Sequence, residues 1–364
     1  MMEDFSVSRD LLQEIMSMIN AGQTFSDIHL EQDAPIMIKS PRGWQQVGTE
    51  PVTLEEMDPV LKGIDEDWED NIVERAIDRP FVLTACRLRC NVYRTSSGGK
   101  VAISIRRLPL HPLPLEKTGL PQYVKTMLEA TRGIILVTGP TGSGKTTTIA
   151  SMLDYLNATR SAHIITIEEP IEYYLQRRQS IISQKEVPTD TASFSSGLRE
   201  ALRQKPDILM VGEIRDFDTA DTVLHAGESG HLVLATMHTN SAMSAITKLL
   251  AFYSPEQRQQ RAGTLANSLV GVIYQSLLPT EAGDEFVLAS EMIFNNNHQA
   301  APYIVDPAKM HLLQDFMKRK EDNMSRSLNE VLAQLVAKKA INAKDAMKAA
   351  YNRLELHEML NSKR

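Results

Sequence analysis

Eight residues, GPTGSGKT at positions 139–146, combine the residue types and spacing needed to hold phosphate. They fit G-x-x-x-x-G-K-[ST], and they stand where that motif works, between a strand-like run, GIILVT, and a helix pattern, TTIASMLDYLN. Gly139, Gly142 and Gly144 let the backbone wrap so that its N–H groups face inward, and the start of a helix adds the positive end of a dipole. Lys145 is suited to the β- and γ-phosphates and the Thr146 hydroxyl to a magnesium ion. Thr141, Ser143 and Thr147 complete the nucleotide-binding set.

Hydrolysis asks for more: a carboxylate to orient or deprotonate water, and another to hold a hydrated metal. Three further apolar runs end in polar residues of that kind. HIITIEE closes on Glu168 and Glu169 before Pro170, DILMVGE on Glu213, and HLVLATMHT on Thr236, His238 and Thr239. In parallel sheets covered by helices, ligands sit outside the carboxyl ends of the strands, so these ends and the phosphate loop outline one reaction centre. Glu168, Glu213 and His238 are the candidate catalytic residues, with His238 able to sense the γ-phosphate. Glu169 joins Thr146 as a candidate metal ligand. His231 suits a structural hydrogen bond as well as a catalytic role, His225 reads as a helix-face residue, and Glu172 and Tyr173 read as packing.

The elements that must position these groups follow from texture. Residues 122–290 alternate β-rich apolar runs with helical patterns, which predicts a parallel sheet flanked by helices. Residues 1–107 begin with a helix over 11–19 and continue in strand patterns, with SSGG at 96–99 as a hairpin turn. LPLHPLPLEKTGLP, whose prolines lie at 109, 112, 114 and 121, reads as an extended linker over 108–121. Residues 291–364 turn mostly helical, with an apolar stripe from Leu328 to Val336 and a last helix, capped by Asn342, ending near 360.

Composition narrows the class. The 364 residues are 42% hydrophobic and 23% charged, ordinary for a folded chain of two or three domains. A net charge of −7 without a long Lys/Arg run sets the chain against duplex DNA binding, and no direct nucleic-acid partner is expected. MMEDFSVSRD is not a signal peptide and no apolar run approaches the length of a membrane span, so a cytoplasmic protein is expected. Cys86 and Cys90, in CRLRC, lack metal-ligating neighbours and read as buried thiols; on a strand, Arg87 and Arg89 would face together on the opposite side.

With these motifs in hand the chain resembles a known family. GPTGSGKTTT, IITIEEPIEY, ALRQKPDILMVGEIRD and SGHLVLATMHTNSA look like the Walker A, Asp box, Walker B and His box of the secretion-superfamily motor ATPases, in the retraction branch that holds PilT and PilU of type IV pili. SDIHLEQDAPIMIKSPRGWQQV resembles that family's PAS-like N-terminal opening. The resemblance implies an α/β fold, with a RecA-like P-loop core, a PAS-like α+β domain before it and a helical segment after it. It implies ATP and Mg2+, Glu168 as the Asp-box catalytic glutamate and Glu213 as the Walker B glutamate. It also implies arginines of the first domain reaching the γ-phosphate, matched here by Arg89, Arg94 and Arg106; surface ion pairs are the alternative use for them. As function it implies a homohexamer that drives pilus disassembly and retraction against an inner-membrane platform protein, peripheral to the membrane, with service to a DotB-like secretion or conjugation system as the alternative. The chain departs from the family at Glu169, where Asp is usual, and in lacking AIRNLIRE; the residues standing there are closer in character to PilU, which points to an accessory motor beside a second retraction ATPase or to a specialised pilus system.

Overall fold

The computed structural model describes residues 9–21, 25–83, 86–295, 298–320 and 322–362. It divides into two compact units, Met1–Leu110 with Ala282–Glu285, and His111–Glu281 with Phe286–Arg364.

In the first unit, α1 (Leu11–Asn20) starts at Asp10, whose carboxylate accepts the Gln13 N–H, and it buries Leu11, Ile15, Met18 and Ile19 as their spacing requires. Strands β1 (Asp27–Glu31), β2 (Ala34–Ser40) and β3 (Gly43–Val52) are followed by α2 (Leu54–Ile64) and α3 (Trp68–Glu74), then β4 (Ile77–Val82), β5 (Arg87–Thr95) and β6 (Lys100–Leu108). The strands form an antiparallel sheet in the order β3-β2-β1-β6-β5-β4. Strict alternation along β5 buries Leu88, Cys90 and Val92 against the helices and turns Arg87 and Arg89 to the other face. Both cysteines are buried and free, and burial pushes the Cys90 thiol up to about 12. Thr84 and Ala85, at the start of the strand expected here, lie outside the described residues.

The second unit opens with α4 (Val124–Leu128), β7 (Gly133–Thr138), α5 (Lys145–Thr159), β8 (His163–Glu168), β9 (Ile181–Glu186) and α6 (Phe194–Ala201). It continues through β10 (Ile208–Val211), α7 (Phe217–Glu228), β11 (Leu232–Met237), α8 (Ala242–Ala251), α9 (Pro255–Ser268), β12 (Leu269–Pro279) and β13 (Phe286–Phe294). These strands form one sheet, ordered β13-β12-β7-β11-β10-β8-β9, parallel throughout except for β13. The central strands are buried at every position because helices cover both faces. Ile134, Leu136, Leu209 and Val211 join the core on one face, and Ile135, Val137, Ile208 and Met210 the core on the other. Each such side chain contributes about 1.5–3 kcal/mol by leaving water. The resemblance's RecA-like core is therefore the fold of this unit.

Three expectations are corrected. The proline-rich stretch is not wholly extended: Leu115–Lys117 make a 3-10 turn, and Leu115 and Leu120 are buried beside Met127 and Ile149, because apolar leucines between the prolines have a core to enter. The last helix is not continuous. After α10 (Ala301–Val305), α11 (Leu313–Arg319) and α12 (Leu328–Ala337), Asn342 caps α13 (Ala343–Ala349) as expected, accepting the Asp345 N–H at 2.8 Å. Ala350 then turns extended, and Asn352 caps a new helix, α14 (Arg353–Ser362), by accepting the Glu355 N–H at 3.1 Å. Helical content also begins later than expected, since β13 carries the sheet past position 291 to Phe294.

Candidate active site

The strand order decides which groups meet. β7, β11, β10 and β8 are neighbours, so their carboxyl ends bring the phosphate loop, His238, Glu213 and Glu168 into one row at one edge of the sheet, although the chain visits them in a different order.

The loop between β7 and α5 keeps its shape through its glycines. Gly139 has φ 150°, and a Cβ there would stand 2.3 Å from the Gln275 carbonyl oxygen; Gly144, with φ 84°, forms the N-cap of α5. Gln275 also donates to the Ser143 carbonyl at 2.7 Å, anchoring the loop to β12. The Ser143 hydroxyl is buried with no hydrogen-bond partner among the described residues, an acceptor or donor position suited to an incoming oxygen-rich group. Lys145 is buried, and its ammonium donates to the carbonyls of Gly139 and Pro140, both at 3.0 Å. Burial pushes its pKa down, while Glu213 and Glu172 pull it back up. Thr146 and Thr147 are half-buried in the first turn of α5; the Thr147 hydroxyl lies 2.9 Å from the Tyr173 hydroxyl. Thr141 and Gly142 are exposed at the tip of the loop. The cradle, the orphan hydroxyl and the inward lysine fit the polyphosphate of a nucleotide.

Past the loop the polar groups form a chain. His238 Nδ1 lies 3.5 Å from the Lys145 ammonium, which can only donate, so the ring proton belongs on Nε2, 3.4 Å from Glu213 Oε1. Burial, with Lys145 next in weight, lowers the His238 pKa and favours this neutral tautomer. Glu213 is itself held at 2.7 Å by Arg215, whose other arm reaches Glu169 at 2.8 Å. The sequence Lys145–His238–Glu213–Arg215–Glu169 thus alternates donors and acceptors from the phosphate loop to the second acid of the Asp box. Gly212 fits closely beneath it: a Cβ there would meet Phe194 at 3.1 Å and the Ile167 carbonyl at 3.2 Å, so these neighbours would have to give way by a few tenths of an ångström.

Glu168 is set apart from this chain. It is buried, and its Oε1 accepts from the Thr166 hydroxyl at 2.6 Å and the Gln184 amide at 3.0 Å. Burial pushes its pKa above the ordinary carboxylate range against those two hydrogen bonds, the condition that gives a carboxylate more basicity.

Two residues at this edge, Arg215 and Gln184, went unread in the sequence, and a third, Glu172, reads there as packing. Arg215 follows Glu213 by two positions, and its adjacency was the one available hint. Gln184 comes from β9, sixteen positions beyond Glu168, and only strand pairing brings it close. Glu172 acts electrostatically on both Lys145 and Glu168, and is part of the site rather than packing alone. Tyr173 does pack, but through a hydroxyl contact to the loop helix. His231 bonds to Ala226 and Ser229 at the far end of β11, so its role is structural.

The three arginines lie in the first unit. Arg89 stands opposite Arg106 on neighbouring strands; it makes a two-pronged contact with Asp78 at 2.7 and 3.2 Å, and Arg106 pairs with Asp27 at 2.9 Å. Arg94 is exposed near the end of β5, on the parity opposite to Arg89.

A family model described as "Type II/IV secretion system protein" matches residues 82–359. The type IV pilus retraction ATPase PilT of Pseudomonas aeruginosa is 36% identical over 277 residues, 75% of this chain and 80% of that protein. A crystal structure of the pilus retraction motor PilT with bound ADP superposes with a TM-score of 0.81 at 36% identity, covering 96% of this chain and 99% of that one. The ATPase DotB of Legionella pneumophila gives a TM-score of 0.85 over 95% of this chain and 97% of its own, at 23% identity, a likeness of fold.

Proposed function

The chain belongs to the type II/IV secretion system protein family, and on that premise we propose that it is a ring-forming motor whose ATP hydrolysis drives retraction of a type IV pilus. Its enzymatic activity is that of a P-loop ATPase. The observation that supports the reading most directly is the single row of Lys145, His238, Glu213 and Glu168 at the carboxyl edge of the sheet. Homohexamer formation, an inner-membrane platform partner and a second retraction ATPase belong to the proposal. So does work at the cytoplasmic membrane face; among the described residues no helix is long and apolar enough to cross a membrane.

In this reading Lys145 exchanges its bonds to the Gly139 and Pro140 carbonyls for phosphate oxygens, and the loop N–H groups with Ser143 hold the rest of the polyphosphate. Thr146 and Glu169 would hold Mg2+, which when bound neutralises charge building on the phosphates. Glu169 is shared with Arg215, so that guanidinium must yield or tilt for the metal to be engaged. Glu168, with its raised basicity, orients and deprotonates the attacking water. His238, neutral and held between Lys145 and Glu213, reports the state of the lysine to the Glu213–Arg215 pair. Arg89, Arg94 and Arg106 are proposed to complete the site from a neighbouring subunit, where Arg89 and Arg106 would exchange their pairing acids for phosphate.

The test joins chemistry to motion. Phosphate release by the purified chain should vanish in Lys145→Ala, and a deletion strain complemented with that variant should retract its pili less often and with less force than one complemented with the wild type. Normal retraction in the deletion strain, with loss of secretion or conjugation instead, would overturn the pilus reading in favour of the secretion alternative.

A further inference from the structure

A second buried carboxylate stands behind the site and takes no part in the chemistry described. Glu291, on β13, is wholly buried. Register places it beside Tyr274 of β12, Tyr274 beside Thr138 of β7, and Thr138 beside Met237 of β11. Glu291 is therefore level with the last residue before the phosphate loop and the residue before His238.

Its side-chain hydrogen bonds come from two separate segments, and its strand holds a third. Oε1 accepts the N–H of Ala242, first residue of α8, at 2.7 Å. Oε2 accepts the Tyr351 hydroxyl at 2.8 Å, just ahead of α14, and the chain entering α12 is tied to the next residue of β13 by the paired backbone bonds of Met292 and Arg326, both 2.9 Å. A carboxylate at a helix start satisfies an N–H group that the helix itself leaves open. Burial pushes the Glu291 pKa up, and its hydrogen bonds offset only part of that cost.

The path from His238 to this anchor is short. Thr239 and Asn240 lead to Ser241, the N-cap of α8. Thr239 is fastened to the strand before the loop by a hydroxyl–hydroxyl bond to Thr138, and it donates to the Ser241 carbonyl at 3.0 Å. A displacement of His238 has little slack to absorb it before the first turn of α8 shifts against Glu291.

We propose that Glu291 is a positioning residue that couples the His238 turn to the C-terminal helices, so that the nucleotide state of the phosphate loop is passed through α8 to α12 and Tyr351. The inference rests on the reading of the loop as an ATP site. Coupling of this kind is carried by a contiguous hydrogen-bonded element that both ends bias.

Amide hydrogen exchange of the full chain, with and without ADP or a non-hydrolysable ATP analogue, tests it alongside steady-state ATPase kinetics. In the wild type, nucleotide should slow exchange at the phosphate loop, at the start of α8 and at the start of α12 together. In Glu291→Gln and in Tyr351→Phe, the loop should still respond and ADP should bind within about twofold of wild type. The response at α12 should be lost, with kcat down by about 10-fold, one strong hydrogen bond's worth, and KM unchanged. If Glu291→Gln does not fold, Tyr351→Phe, which removes a single hydroxyl, carries the test. A wild-type-like α12 response and kcat in Tyr351→Phe would overturn the coupling. A wild-type loop indifferent to nucleotide would instead overturn the ATP reading beneath it.

Discussion

The guanidinium of Arg215 lies 2.8 Å from the carboxylate of Glu169, and by its other arm it holds Glu213 at 2.7 Å. One exposed cation thereby fixes the second acid of the Asp box against the Walker B glutamate. The longer side chain at Glu169, where the family usually has Asp, adds about 1.5 Å of reach, one C–C bond. Arg215→Ala should release both acids and lower kcat on the order of 10-fold, with ADP affinity retained. A parallel loss of ADP binding, read by fluorescence titration, would show that Arg215 shapes the loop rather than the acids.

The acid limb of the pH–rate profile should report Glu168. A water-activating carboxylate works ionised, and burial has already raised its pKa, so activity should fail at higher pH than for an ordinary carboxylate. Thr166→Val removes the hydroxyl that holds the pKa down at 2.6 Å, so the limb should move to still higher pH while the plateau rate stays close to wild type. An unmoved limb would assign it to another group.

The same burial has a stability signature. A carboxyl whose folded pKa is raised lends stability below its unfolded pKa and loses it as pH rises through the folded one. As pH rises through the folded pKa the native state takes on the cost of the buried charge, so at alkaline pH Glu168→Gln should melt above the wild type, by roughly 2–4 °C. The difference should shrink on acidification. Calorimetry at two pH values checks both the sign and the trend.

Cys90 should be a silent thiol in the folded chain. Its pKa of about 12 leaves almost no thiolate near neutral pH, and the side chain is buried under the first unit's helices. Alkylation by iodoacetamide should run roughly a thousandfold below a free cysteine and recover in denaturant. Mass spectrometry of the native chain showing prompt labelling at Cys90 would contradict that packing.

How much of this was legible in the residues depends on how local each feature is. The phosphate loop is eight consecutive residues whose glycine φ values, lysine and helix start all belong to one stretch of backbone, so the sequence alone determined it. The apolar runs ending in Glu168, Glu213 and His238 were legible for the same reason: a strand covered on both faces has no alternation to hide. β12 went unread because its apolar run follows α9 without a break, and β9 because its half-polar face belongs to a sheet edge. Tertiary structure alone decided the order β7-β11-β10-β8, and with it that His238 bridges Lys145 and Glu213 and that Gln184 reaches Glu168. It also decided that Glu291 gathers donors from positions 242 and 351. Those contacts join residues sixteen to more than ninety positions apart, and a pattern of types along a chain holds no information on which strands lie side by side.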